Sequence, residues 1–103
     1  MARRFVIGIG GIEEIVGERI KGYLDSHGSW WHWINNFWLF VTEEEEISSE
    51  TLRDYLGGLG KDVRTIVFEF DKELAWAGAG PRQDGNDMFA WVHETWGADG
   101  VSD

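Results

Sequence analysis

Residues Ser29 to Thr42 read Ser-Trp-Trp-His-Trp-Ile-Asn-Asn-Phe-Trp-Leu-Phe-Val-Thr, and no other stretch limits the fold as strongly. Two aromatic and β-branched runs flank Asn35-Asn36, and asparagine tolerates the positive φ of a tight turn. The pattern predicts a hairpin of 29–34 with 37–42. Neither strand alternates apolar with polar. Trp31 and Trp33 fall on one face, with Trp30, His32 and Ile34 on the other, while Phe37, Leu39 and Val41 alternate with Trp38 and Phe40. Strands that are apolar on both sides are covered on both sides. The sheet therefore needs two covers.

The flanking segments supply the remaining elements. Arg3 to Ile9 places Phe5, Ile7 and Ile9 at alternate positions, as in a strand. A helix follows, with Ile12, Ile15, Val16, Ile20, Tyr23, Leu24 and His27 assigned to one face, Glu13 and Glu14 in its first turn, and Gly28 as the C′ residue. Gly17 and Gly22 inside it suggest close packing on the sheet. After the acidic run Glu43–Glu46, Ser48 or Ser49 caps a second helix with Leu52, Tyr55, Leu56 and Leu59 inward. Val63 to Phe70 is a further strand. Asp71 to Gly85 is an irregular connection carrying Trp76, and Asn86 or Asp87 opens a short last helix with Met88, Phe89, Val92 and Trp96 on one side.

The order β-α-β-β-α-β predicts a ferredoxin-like α+β domain over 1–97, followed by an acidic flexible tail at 98–103. Two helices cover one face of such a sheet. A second copy of the chain, giving a homodimer, is the expected cover of the other. The competing cover is the chain's own last helix with the Trp76 segment.

Composition narrows the function classes. The 103 residues include 43% apolar side chains and seven tryptophans, enough for a real core. There is no cysteine, so disulfides and thiolate metal sites are excluded. No apolar run approaches a bilayer span and no signal-peptide core is visible, which points to the cytoplasm, or a host's cytoplasm for a phage gene. The net charge of −10 arises entirely from residues 43–103, which carry five basic and fifteen acidic side chains. Such a surface repels phosphate backbones and attracts basic partners.

The chemical motifs are sparse. Gly8-Ile9-Gly10-Gly11 lies between a strand and a helix, but Glu13 takes the third glycine position of a dinucleotide fingerprint, so a turn is the simpler reading. His27, His32 and His93 lack ligand spacing. His32, among tryptophans, is the candidate acid or base if a carboxylate partners it. Trp31, Trp33, Trp38 and Trp76 are candidate binding faces as well as core anchors. Glu43, Glu44, Glu45 and Glu46 cannot all converge on one ion and are read as a solvated, partner-facing loop.

Ser29-Trp30-Trp31-His32-Trp33, Phe37-Trp38-Leu39, the helix from Thr51 to Leu59 and Ala75-Trp76-Ala77-Gly78 resemble small SinR-like proteins. Those resemble the small CRISPR adaptation nuclease subunit, the second CRISPR-associated family, and toxin-like endoribonucleases. The resemblance spans about residues 3–96. It implies a ferredoxin-like fold, a homodimer and phosphodiester cleavage dependent on Mg²⁺ or Mn²⁺. The family's acid at the end of the first strand is replaced here by Gly10, and Glu13 is the residue that would have to stand in for it. The leading expectation is a non-catalytic homodimeric binding protein without a cofactor, encoded by a phage or mobile element and acting on a host protein. The alternatives are a metal-dependent RNA or DNA endonuclease with a displaced acid (Glu13, with His32), and a small-ligand or nucleotide binder.

Overall fold

A computed structural model describes residues 2–70, 77–79, 90–92 and 96. The elements run β1 (Arg3–Gly10), α1 (Glu14–His27), β2 (Ser29–Ile34), β3 (Phe37–Thr42), α2 (Ser49–Gly57) and β4 (Arg64–Phe70). The class is α+β, with one four-stranded sheet in the order β2-β3-β1-β4 and every neighbour antiparallel. Among the described residues, no helix is long and apolar enough to cross a membrane. Trp76, the start of the expected last helix and the tail lie outside the described residues.

Strand alternation divides the apolar side chains between two cores. Phe5, Ile7 and Ile9 of β1 join Trp38 and Phe40 of β3 beneath Ile20 and Leu24 of α1 and Leu52 and Leu56 of α2. On the far face, Trp31 and Leu39 pack with Val92 and Trp96, and Val6, Val41 and Phe70 lie around them. The far face is thus covered in part by the chain's own C-terminal segment. That cover leaves Ile66 and Phe68 of β4 more than half exposed, at 58% and 51%.

The helix ends show why this sequence stops where it does. Ser48 caps α2 by accepting from the Thr51 amide at 3.1 Å, and Thr51 Oγ1 accepts from the Ser48 amide at 2.8 Å. These reciprocal bonds satisfy two donors that a helix leaves open. In α1 the expected face is narrower. Ile15 is 64% exposed because it lies five residues before buried Ile20, about 140° around a helix that turns 100° per residue.

The glycines also read differently in three dimensions. A Cβ on Gly17 or Gly22 meets nothing within 4 Å, so neither serves close packing. Gly28 follows α1 with an extended φ of 169° rather than a left-handed one. Its need for glycine is steric, since a Cβ there would stand 2.1 Å from the Val41 carbonyl oxygen. Gly11 does adopt φ 76°, and a Cβ there would meet the Asp62 carbonyl oxygen at 2.1 Å. That crossing of two backbones explains the glycine-rich turn without a ligand.

Gly28→Ala should lower unfolding free energy by about 2–3 kcal/mol through overpacking against backbone. Gly22→Ala should raise it by about 1 kcal/mol from helix propensity. Urea denaturation of both variants tests the contrast. A second expectation concerns alkaline pH. Tyr23 stacks on Tyr55 at 3.9 Å, and burial, then Tyr55 and Glu44, raise its phenol pKa. A group whose folded pKa is raised contributes stability below its unfolded value and loses it as pH climbs through the folded value. Stability should therefore fall as pH rises past the ordinary phenol range, and Tyr23→Phe should flatten that decline in a pH series of urea midpoints.

Candidate functional site

A cleft of about 380 Å³ opens between the start of α1 and the β2–β3 turn. Ile12, Glu13, Glu14, Gly17, Glu18 and Lys21 line one wall, and His32, Asn35, Asn36 and Trp38 line the other. The hairpin creates the second wall by a local irregularity. Asn36 takes φ 66° in the turn, as its sequence allows. Ile34 pairs with Phe37, but Trp31 then pairs with Leu39, so one extra β2 residue is accommodated between them. Without that bulge, Trp31 would face Phe40 and point into the helix-side core. The one-residue shift sends Trp31 to the far face.

The bulge also leaves His32 lying flat on Trp38, with centroids 3.7 Å apart and planes at 3°. His32 Nδ1 lies 2.9 Å from the Phe37 carbonyl oxygen. A carbonyl only accepts, so Nδ1 carries the proton, and in the neutral ring Nε2 keeps the lone pair. Trp38 is 1% exposed, and its Nε1 has no hydrogen-bond partner among the described residues. Across the cleft, Glu18 is 3.4 Å from Lys21, whereas Glu13 and Glu14 have no side-chain partner among the described residues.

The structure therefore brings Glu13, His32 and Trp38 to one cleft and disperses the other expected site residues. Trp31 is buried on the far face, while Trp33 is 45% exposed on β2. Trp76 lies outside the described residues. The acidic run does not act as one unit. Glu44 Oε1 is 2.8 Å from His27 Nδ1, and the Glu45 carbonyl accepts from Arg3 at 3.0 Å. Glu43 and Glu46 are exposed without side-chain partners among the described residues. His27 is half-buried beside Tyr23 at 4.6 Å and holds a structural contact to Glu44. Glu18, Lys21 and the turn asparagines did not stand out as site residues in the sequence. The only signal for them was the i, i+4 and i+3 spacing of Glu14, Glu18 and Lys21 on one side of α1.

A divalent ion is not well served by these residues. Gly10 ends β1 with no side chain to offer, and among the described residues no three His, Asp or Glu side chains converge on a common point. What the cleft does offer is two unpaired carboxylates, an imidazole of fixed orientation and amide side chains, a set suited to hydrogen bonding and attraction of cations. Comparisons with protein-family models, with curated proteins and with solved structures found no match.

The unpaired indole sets a quantitative expectation. Leaving a buried donor unsatisfied costs about 1–3 kcal/mol, so removing it offsets part of the lost ring volume. Trp38→Phe should cost at most about 1 kcal/mol, against about 3–5 kcal/mol for Trp38→Ala. Denaturant midpoints of the two variants provide the comparison.

Proposed function

We propose that this chain is a ferredoxin-like domain acting as a homodimeric, non-catalytic binding protein, encoded by a phage or mobile element, whose acidic surface engages a basic host protein. The fold part is supported by the chain order β-α-β-β-α-β, the sheet order and the packing of both helices in one core. The observation that carries the binding part is the set of uncompensated carboxylates: Glu13 and Glu14 at the cleft, Glu43 and Glu46 on the loop before α2. None of the four has a cationic side-chain partner among the described residues, on a chain of net charge −10. They raise the association rate with a positive partner and disfavour nucleic acid. The exposed Ile66 and Phe68 support the homodimer.

One observation favours a second reading. Glu13 and His32 line the same cleft, as a metal-dependent nuclease with a displaced acid would need. A cleavage assay separates the two. Fractions across the purified protein's elution peak are incubated with single- and double-stranded RNA and DNA in Mg²⁺ or Mn²⁺, with an EDTA control. No cleavage is expected in any fraction. Cleavage that follows the protein peak, requires metal and disappears in Glu13→Gln would replace the binding reading with the enzyme.

A further inference from the structure

Strand β4 is an edge of the sheet, paired with β1 from Arg4↔Phe70 to Gly10↔Arg64 and with nothing else among the described residues. Exposed edges are ordinarily guarded by charge, proline, shortness or a bulge. This one spans seven residues, Arg-Thr-Ile-Val-Phe-Glu-Phe, without a proline or a register shift. Its charges stand near its ends, and Glu69 is drawn back toward β1 by Arg3, with Nε to Oε2 at 2.8 Å. The middle carries Ile66 and Phe68, more than half exposed on the face away from the helices. Beneath Ile66 the β1 position is Gly8, which adds no side chain beside it.

We propose that β4 pairs with β4 of a second copy of this chain, antiparallel about a two-fold axis at Val67, forming a continuous eight-stranded sheet. This rests on the homodimer reading above and names its interface. A two-fold contact requires one patch to complement itself, and β4 does. With Val67 on the axis, Ile66 lies opposite the partner's Phe68 and Phe68 opposite the partner's Ile66, so both exposed apolar side chains gain an apolar cross-strand neighbour. Moving the axis to Ile66 would set the exposed Phe68 against Arg64, and moving it to Phe68 would set Ile66 against Phe70, which already packs against the far-side core. The Val67 axis leaves only that packed Phe70 opposite Arg64, and an odd shift would place the apolar pair on opposite faces. Charge selects the same edge. Two chains of net charge −10 repel each other, but β4 itself carries only Arg64 and Glu69, and that glutamate is paired with Arg3 of β1. The carboxylates of the cleft belong to another element, and of the 43–46 loop Glu45 approaches through Arg3.

The absence of native cysteine makes the pairing directly testable. Directly opposed residues of antiparallel strands have Cα atoms about 4.5–5.5 Å apart, within disulfide reach. The full-length Val67→Cys chain, and an equimolar mixture of Ile66→Cys and Phe68→Cys chains, are oxidised mildly and compared with Ser29→Cys on the opposite edge strand β2. Both are expected to give about tenfold more covalent dimer than Ser29→Cys, because only they sit within bonding distance across the axis. Light scattering on the unmodified chain runs alongside, with Ile66→Lys/Phe68→Lys, checked for folding by circular dichroism, expected to be monomeric. A dimer by light scattering with no excess cross-linking at 66, 67 or 68 would overturn β4 pairing and leave the homodimer reading intact. A monomer at all concentrations would overturn both.

Discussion

Strand β1 is the constraint on which the rest of the structure depends. Among the described strands it alone is bonded on one side to the hairpin strand β3 and on the other to the last strand β4, along nearly its whole length. Its odd residues Phe5, Ile7 and Ile9 are buried under the helices, and its even residues Arg4 and Val6 face the C-terminal segment. A strand buried on both faces satisfies its backbone only through two complete ladders, so β3 and β4 must both be in place. The two arginines at its start extend that control. Arg3 binds Glu69 and the carbonyls of Glu45 and Ile47, tying β4 and the entry to α2 to one guanidinium. The Glu69 contact raises the pKa of Arg3, as a charge-assisted bond should. Arg4 is buried and donates to the Trp96 carbonyl, which anchors the far-side cover.

The candidate site is built against this frame by a defect in the hairpin. A regular two-residue turn would oppose Trp33 to Trp38, whereas the bulge lays His32 on Trp38 instead. The site's floor is therefore a stacked aromatic pair whose geometry is held by the Phe37 carbonyl and by the turn, itself bonded to β1 through the Ile9 amide and the Asn36 carbonyl oxygen at 2.9 Å. The α1 wall is cut by Gly17, where no side chain fills the space. Shape comes from the sheet, and charge comes from the first turns of the helix.

Two sets of acidic groups lie at the two ends of α1. Glu13 and Glu14 stand at the start of α1, and His27 with Glu44 at its end, about 20 Å apart at 1.5 Å per residue. One of the two is partly structural, since Glu44 holds the helix end, while the neighbouring Glu43 and Glu46 remain solvated. The β4 strand, by contrast, carries one arginine and one glutamate and has an apolar centre. The proposed partner surface and the proposed β4 interface therefore lie on different elements, so one would not obstruct the other.

Local chemistry was enough to read the elements and their order. Asn35-Asn36 set both hairpin strands to the residue, Ser48 set the start of α2, and the period-2 run Phe5, Ile7, Ile9 marked β1, because these signals act within a few residues. The two cores were also legible, from strands apolar on both sides. Other features depended on contacts between distant segments. Gly28 and Gly11 are required by backbones that approach from elsewhere in the chain, and Gly17 and Gly22 turn out to meet no neighbour. Val92 and Trp96 reach the far face because Trp31 was turned toward them by a single extra residue in β2, whose side-chain period of two makes any one-residue shift a change of face. The same shift stacked His32 on Trp38 and opened the cleft beside Glu13. The sequence by itself determined which segments became strands and helices; only the tertiary structure decided which way the hairpin's side chains face, because a register is settled by packing on both sides at once.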